Sequence, residues 1–253
     1  MRAVATLTFN TFLEMVRDRT VAILFFGALI LILLSFFLGS LSLDEQRRVL
    51  IHLGFGTIHL SCLVIVLSKG PFQLSREIER QTCLMVLARP ISRTQFLFGH
   101  LLAVLLLIAA NLLVQGLMLF ALLGFSVDPE RYLIILAGIF LEMSILTTFI
   151  FWAVQWVRPV IAFLSGLTLF LVGNWLDEMK FFAERTRDED FRALANGIRW
   201  FLPNLFLLNF RNEDFLVNGH ALVEFQISLT HFLFWIGFLS CCAALAFRRR
   251  NLV

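Results

Sequence analysis

Apolar residues run through this chain in long blocks that polar residues interrupt only briefly. Six blocks, at about 21–41, 49–68, 96–124, 132–157, 159–176 and 225–247, reach the roughly 20 mainly apolar residues needed to cross a bilayer core. They predict an all-α polytopic membrane protein with six transmembrane helices, built as a single transmembrane domain over residues 1–253. Three polar stretches stand apart from them, at 1–20, 69–95 and 177–224. No secretory signal is expected, because a polar-rich segment precedes the first block and no small-residue cleavage site follows it. Met1 to Val253 is therefore read as the mature chain.

The first stretch has a helical period of its own. Ala5, Phe9, Phe12, Leu13 and Val16 recur on one face, while Asn10, Glu14, Arg17 and Asp18 occupy the remainder. This predicts an interfacial helix that lies in the membrane plane and elbows into the first span. The second stretch carries a charged island, REIERQTCLMVLARPISRTQFLFGH, from Arg76 to His100. Arg76, Glu77, Glu79 and Arg80 alternate in sign at i, i+3 and i, i+4 spacings, which predicts a short helix outside the membrane that can dock in a cleft. Arg89-Pro90 forces an extended or turn conformation, and Ser92 reads as the N-cap of a helix that starts near Arg93 and enters the third span.

Composition agrees with a bilayer. Hydrophobic residues make up 59% of the chain and charged residues only 15%, with a mean hydropathy of +0.86, which excludes an ordinary soluble domain. The 29 Phe against one Tyr supply area without hydroxyls that would need partners in hydrocarbon. Charge sets the orientation. One side collects twelve basic residues, Arg2, Arg17, Arg19, Lys69, Arg76, Arg80, Arg89, Arg93, Arg158 and Arg248 to Arg250; the short loops opposite hold only Arg47, Arg48 and Arg131. Both termini are accordingly expected in the cytoplasm. The net charge of +3 follows from this bias, and no basic stripe with interleaved aromatics points to nucleic acid. Cys62, Cys241 and Cys242 fall within spans and Cys83 in the cytoplasmic loop, so neither a disulfide framework nor a metal site is implied.

In the 177–224 segment, Phe191, Leu194, Ile198, Phe201 and Leu202 repeat at helical spacing, with Arg192, Asn196 and Arg199 on other faces. That helix is expected on the outer membrane surface. Pro203 should break it, and the following LFLLNF is too short to span, a run suited to dipping into the bundle and returning. Polar residues within spans are expensive and mark candidate sites. Glu142 is the sharpest, placed to line a translocation path or to serve as a packing residue; Asn111, Gln115 and Asn174 read as interhelical hydrogen-bonding groups. His52 and His59 share roughly one helix face, but two histidines do not make a metal site.

A nucleotide site is missing from the sequence. A P-loop requires G-x-x-x-x-G-K-[ST], and the two lysines, Lys69 and Lys180, precede Gly70 and Phe181. The pattern REIERQT followed by LARPISRTQFLFG, the interfacial helix before the first span and the basic ending FRRRNL together resemble permease subunits of ATP-binding cassette transporters, the type-2 class with the type V exporter fold. The resemblance covers essentially the whole chain. It implies that the 69–95 loop carries a coupling helix fitting a groove on a separate cytoplasmic ATPase, with Arg76, Glu77, Ile78, Glu79, Arg80 and Thr82 at the contact and Pro90, Ser92 and Arg93 forming the joint to the third span. It further implies external gate helices in 177–224, with Pro203 and Asn204 as gate residues, and a second permease, either an identical copy or a sister chain. ATP and Mg would be bound by the ATPase, this chain would hold no cofactor, and the setting would be a bacterial inner membrane with outward transport. Two other classes stand beside this one. A secondary transporter would want a second buried charge besides Glu142 and inverted repeats, neither of which the sequence offers, and an intramembrane serine protease would pair Ser165 with His231, although AFLSG lacks the glycine two residues before its serine.

Overall fold

We describe residues 2–41, 46–79, 92–124, 127–186, 189–211 and 221–249 of a computed structural model. Among them the chain is helical throughout, with no strand. In chain order the helices are α1 (Arg2–Val16), α2 (Arg19–Ser40), α3 (Gln46–Glu79), α4 (Arg93–Leu122), α5 (Pro129–Ala153), α6 (Pro159–Arg185), α7 (Glu189–Phe201) and α8 (Ala221–Arg249), with a 3-10 turn at Leu205–Leu208 between the last two. Six of these, α2 to α6 and α8, are long and apolar enough to cross a membrane.

Helix starts follow local chemistry. Asp18 caps α2 by accepting from the Thr20 N–H at 2.8 Å, and Asp128 caps α5 through Glu130 with Pro129 in the first helical position. α4 opens on a capping box, in which Gln95 N donates to Ser92 Oγ and Ser92 N donates to Gln95 Oε1.

The spans form an inner and an outer set. In their most apolar stretches α3, α4 and α5 are 61, 56 and 67% buried, against 22, 28 and 17% for α2, α6 and α8. α2 packs on α3, α8 on α5, and α6 against both α3 and α5. The outer helices turn large apolar side chains outward, such as Ile23, Phe26, Ile30 and Phe37 on α2 and Phe234 and Phe238 on α8. Such surfaces suit lipid, where apolar exposure carries no penalty.

Three expectations change. α3 does not end at about residue 68, since its 34 residues continue to Glu79 as one helix. At 1.5 Å per residue it is about 51 Å long, against a hydrocarbon core of about 30 Å. Residues 69–79 are thus helix rather than loop, and Arg76, Glu77 and Glu79 ride the end of the second span instead of opening a separate helix. Pro71 lies within α3 and does not terminate it. α6 likewise runs nine residues past Leu176, helped by a Lys180–Glu184 pair at i, i+4. Finally, α1 has two working faces. Thr11 and Met15 are buried, Leu7 packs on the core, and Thr8 Oγ1 donates to Gly99 O at 3.1 Å, fixing α1 across α4. The apolar set read from sequence is divided: Ala5, Phe9 and Val16 are exposed and Leu13 is half-buried, whereas Phe12 packs against the core beside Leu7.

Candidate functional site

Three spans bring a polar side chain to one depth. His59 and Glu142 each lie thirteen residues in from the first residues of their helices, Gln46 and Pro129, and Asn174 of α6 meets them. Glu142 is completely buried. Its Oε1 accepts from Asn174 Nδ2 at 2.8 Å, and its Oε2 lies 2.9 Å from His59 Nε2. On the other side of the imidazole, Arg211 Nη1 stands 2.6 Å from His59 Nδ1, while Arg211 Nε donates to Asn209 Oδ1 at 2.8 Å. A guanidinium can only donate, so His59 Nδ1 is an acceptor, the ring proton sits on Nε2, and that proton is aimed at Glu142. The result is a relay with a cation at one end and a carboxylate at the other, every oxygen of Glu142 being occupied. An unpaired charge at this depth would be costly, and the relay removes most of that cost.

Arg211 arrives from outside the spans. Pro203 stops α7, and the 3-10 turn that follows buries Leu205 and Leu208 against Ile145 of α5 and Leu239 of α8. Two glycines make room. A Cβ at Gly138 would lie 2.4 Å from the Leu208 carbonyl oxygen and 2.8 Å from the Phe210 ring, and one at Gly173 would lie 2.8 Å from the Leu205 side chain. Backbone can approach helix this closely only where the side chain is missing. Gly138 is nine residues into α5, about 14 Å along its axis, so the 203–211 segment penetrates deeply between α5, α6 and α8. Ser228 of α8 also donates to Leu207 O. LFLLNF therefore dips into the bundle as its length suggested. Pro203 is buried, and Asn204 Oδ1, buried as well, has no partner among the described residues.

A second polar cluster occupies another face of α3. Ser61 Oγ donates to Gln115 Oε1 at 2.8 Å, Gln115 Nε2 donates to Asn111 Oδ1 at 2.8 Å, and Asn111 Nδ2 reaches Ser61 Oγ at 3.1 Å and Cys62 Sγ at 3.3 Å. This neutral ring ties α3 to α4, the interhelical role expected of Asn111 and Gln115.

At the basic end, several helix termini are gathered. Arg93 Nη1 is 3.5 Å from Arg248 O, and the Phe96 and Phe247 rings stack at 6.1 Å, so the start of α4 grips the end of α8. Lys69 of α3 donates to Asp18 at the α1–α2 corner. That bond, with the Thr20 N–H, outweighs burial and holds the Asp18 carboxyl down at about 2. Of the residues implied as an ATPase contact, Arg76 is exposed, whereas Glu77 turns inward, 21% exposed and 4.0 Å from Nε2 of the buried His100. Ile78 and Glu79 lie in the last turn of α3. Arg80, Thr82 and Pro90 fall outside the described residues, as does Cys83.

The two residues of the protease alternative do other things. Ser165 Oγ donates to Ala162 O of its own helix at 2.9 Å, and the His231 ring faces Trp235 at 6.4 Å. Among the described residues no group of three or more His, Cys, Asp or Glu side chains could hold a metal ion. No protein-family model matches the sequence, and no curated protein matches it either.

The partners of Glu142 were only partly foreseeable. Equal depth of His59 and Glu142 on helices entering from one end was a usable signal, because residues at matching heights in adjacent helices can meet. Arg211 offered none, since it sits in a long polar segment with other arginines.

Proposed function

We propose that this chain is the membrane-spanning permease subunit of an ATP-driven transporter of the ATP-binding cassette class, coupled to separate cytoplasmic ATPase subunits. The observation that carries this reading is the basic end of the bundle. α3 is about 20 Å longer than a bilayer core, and in this reading its C-terminal end carries Arg76 beyond the membrane. The chain then returns through Ser92 and Arg93 into a helix whose first turns touch both α1 and α8. A push on this projection would reach three helices through packed side chains. In this reading α1 is the interfacial elbow, Arg76, Glu77, Ile78, Glu79, Arg80 and Thr82 form the ATPase contact, and Pro90, Ser92 and Arg93 form the joint. The 203–211 segment with Pro203 and Asn204 is the external gate, and Glu142 borders the path it closes. The chain works as a dimer, with an identical or sister permease, in a bacterial inner membrane with both termini cytoplasmic, and moves its substrate outward. ATP and Mg belong to the ATPase.

The test is purification of the tagged chain from its native membranes in mild detergent, followed by mass spectrometry. A stoichiometric P-loop ATPase is expected with the unaltered chain and is expected to be lost with Arg76→Glu. Glu77 is a poor choice for this substitution because it contacts buried His100. Absence of any ATPase from a chain that remains folded would remove the proposal.

One observation favours a second reading. A secondary transporter wants a second charge near Glu142, and the half-buried Arg211 supplies one through His59. Proteoliposomes holding this chain alone would then conduct protons in a Glu142-dependent way without ATP, which a pH-sensitive dye inside them would register.

A further inference from the structure

The contact between Arg211 and His59 depends on a bare lone pair. Arg211 Nη1 stands 2.6 Å from His59 Nδ1, and a guanidinium has only N–H groups to offer. The other ring nitrogen is committed to Glu142 Oε2 at 2.9 Å. A proton taken up by the ring therefore has one place to go, the position that Arg211 already occupies. With that proton in place, two donors and two positive charges would face each other, and attraction would turn into repulsion.

Release of Arg211 by a proton strands no charge. Glu142 is completely buried and needs a cation to balance it. Before uptake that cation is Arg211, one ring away; afterwards it is the imidazolium, which still donates from Nε2, while Asn174 Nδ2 keeps the other carboxylate oxygen. Arg211 is only half-buried and bonded to Asn209 of its own segment, so it can turn to water with that partner. Around the ring, α5 brings Glu142 and Tyr132, whose hydroxyl is given to Gly116 O, and α6 brings the neutral Asn174 and the Phe170 ring at 5.3 Å. On the far side of α3, α4 offers the neutral Asn111 and Gln115 to Ser61 and Cys62, and α2 carries no titratable side chain beyond Arg19. We propose that His59 is a proton switch for the 203–211 segment: a proton and Arg211 compete for Nδ1, and acid displaces Arg211 and loosens the segment it anchors. Histidine is the side chain whose ordinary titration falls between about pH 5 and pH 8. The released state binds one proton more, so the ratio of released to inserted segment rises by up to about tenfold for each unit by which pH falls. This rests on the relay alone and holds whether or not an ATPase accompanies the chain; within the permease reading it makes the gate acid-responsive.

The experiment uses the full-length chain in lipid nanodiscs, with its four native cysteines replaced and nitroxides attached at Leu207→Cys, on the segment, and Trp156→Cys, beyond the opposite end of α5, both exposed positions. Double electron–electron resonance reads the distance between them after equilibration at steps from about pH 8 to about pH 5.5. A second pair on the spans alone, Leu117→Cys with Trp156→Cys, reports whether the bundle keeps its shape. As pH falls, a displaced population should grow in the Leu207 pair, by up to about tenfold per unit relative to the inserted one, with the span pair unchanged. His59→Gln has an amide that can accept from Arg211 and donate to Glu142 but cannot take up a proton, and it should hold the inserted distance throughout. Arg211→Gln removes the charge that an imidazolium repels and should give a distribution independent of pH, which decides the matter even if His59→Gln does not fold. A distribution that stays constant with His59 and Arg211 both present, equal movement of the span pair, or a full acid response in either variant would overturn the proposal. No ATPase takes part in this measurement, so its outcome is separate from that of the copurification.

Discussion

The two polar clusters of the bundle sit two residues apart on α3, at His59 and Ser61, and they do different work. Ser61, Asn111 and Gln115 form a neutral ring between two helices, every member supplied by a span. His59, Glu142, Asn174 and Arg211 form a charged relay whose cation comes from a non-spanning segment. The first is glue between elements that have no other place to be. The second holds in place a stretch of chain that lies outside the spans in sequence and could leave. A charged relay suits that task because its strength depends on both ends being present, and losing the cation leaves Glu142 in a dry interior with no charge to balance it.

Breaking the relay should therefore cost more than breaking the ring. Glu142→Ala leaves the His59 Nε2 proton without its acceptor and Arg211 without a carboxylate at the far end of the relay, and is expected to destabilise the folded chain by about 3 kcal/mol, the low end of the range for removing one partner of a buried pair because Arg211 is only half-buried. It would be seen as a large drop in the midpoint of thermal unfolding in detergent, followed by tryptophan fluorescence. Asn111→Ala removes hydrogen bonds but strands no charge, and should cost about 0.6–1.7 kcal/mol in the same assay, the span measured for interhelical hydrogen bonds in membranes. If the two variants cost the same, the distinction between glue and latch fails.

A third site calibrates the comparison, because its charge pair is partly open to solvent. Asp18 titrates at about 2 in the folded chain, below its ordinary 3.8, so its pairing with Lys69 contributes stability at neutral pH that persists above 3.8 and is lost as pH falls toward 2. With solvent screening the loss should be about 1 kcal/mol. Acid titration of the unfolding midpoint checks it: the decline between pH 4 and pH 2 should be shallower in Asp18→Asn, which already lacks the charge.

The six spans were legible because a bilayer imposes a minimum apolar length, and a hydropathy pattern reads that length directly. Helix ends were less legible for the same reason. Beyond residue 68 of α3 and residue 176 of α6 the composition turns polar, so the pattern stops reporting although the backbone hydrogen bonds continue. In α1, periodicity picked out the more apolar face, with Phe9 and Val16, whereas the face bound to α4 mixes Leu7 and Met15 with Thr8 and Thr11. Of the relay, Glu142 and Asn174 stood out as polar residues in apolar runs, and the run LFLLNF announced a segment that dips inward. That Arg211 completes it depends on Gly138 and Gly173 opening a path for backbone, a property of packing between helices far apart in sequence.

The most direct measurement is the reactivity of a single thiol placed on the inserted segment. Leu205→Cys, in a chain with its four native cysteines replaced, would be exposed to a membrane-impermeant maleimide in sealed spheroplasts. Labelling should be slow when the relay is intact, much faster with Glu142→Ala added, and unchanged with Gln115→Ala added. Equal acceleration by both substitutions, or by neither, would contradict the claim that the charged relay holds this segment within the bundle.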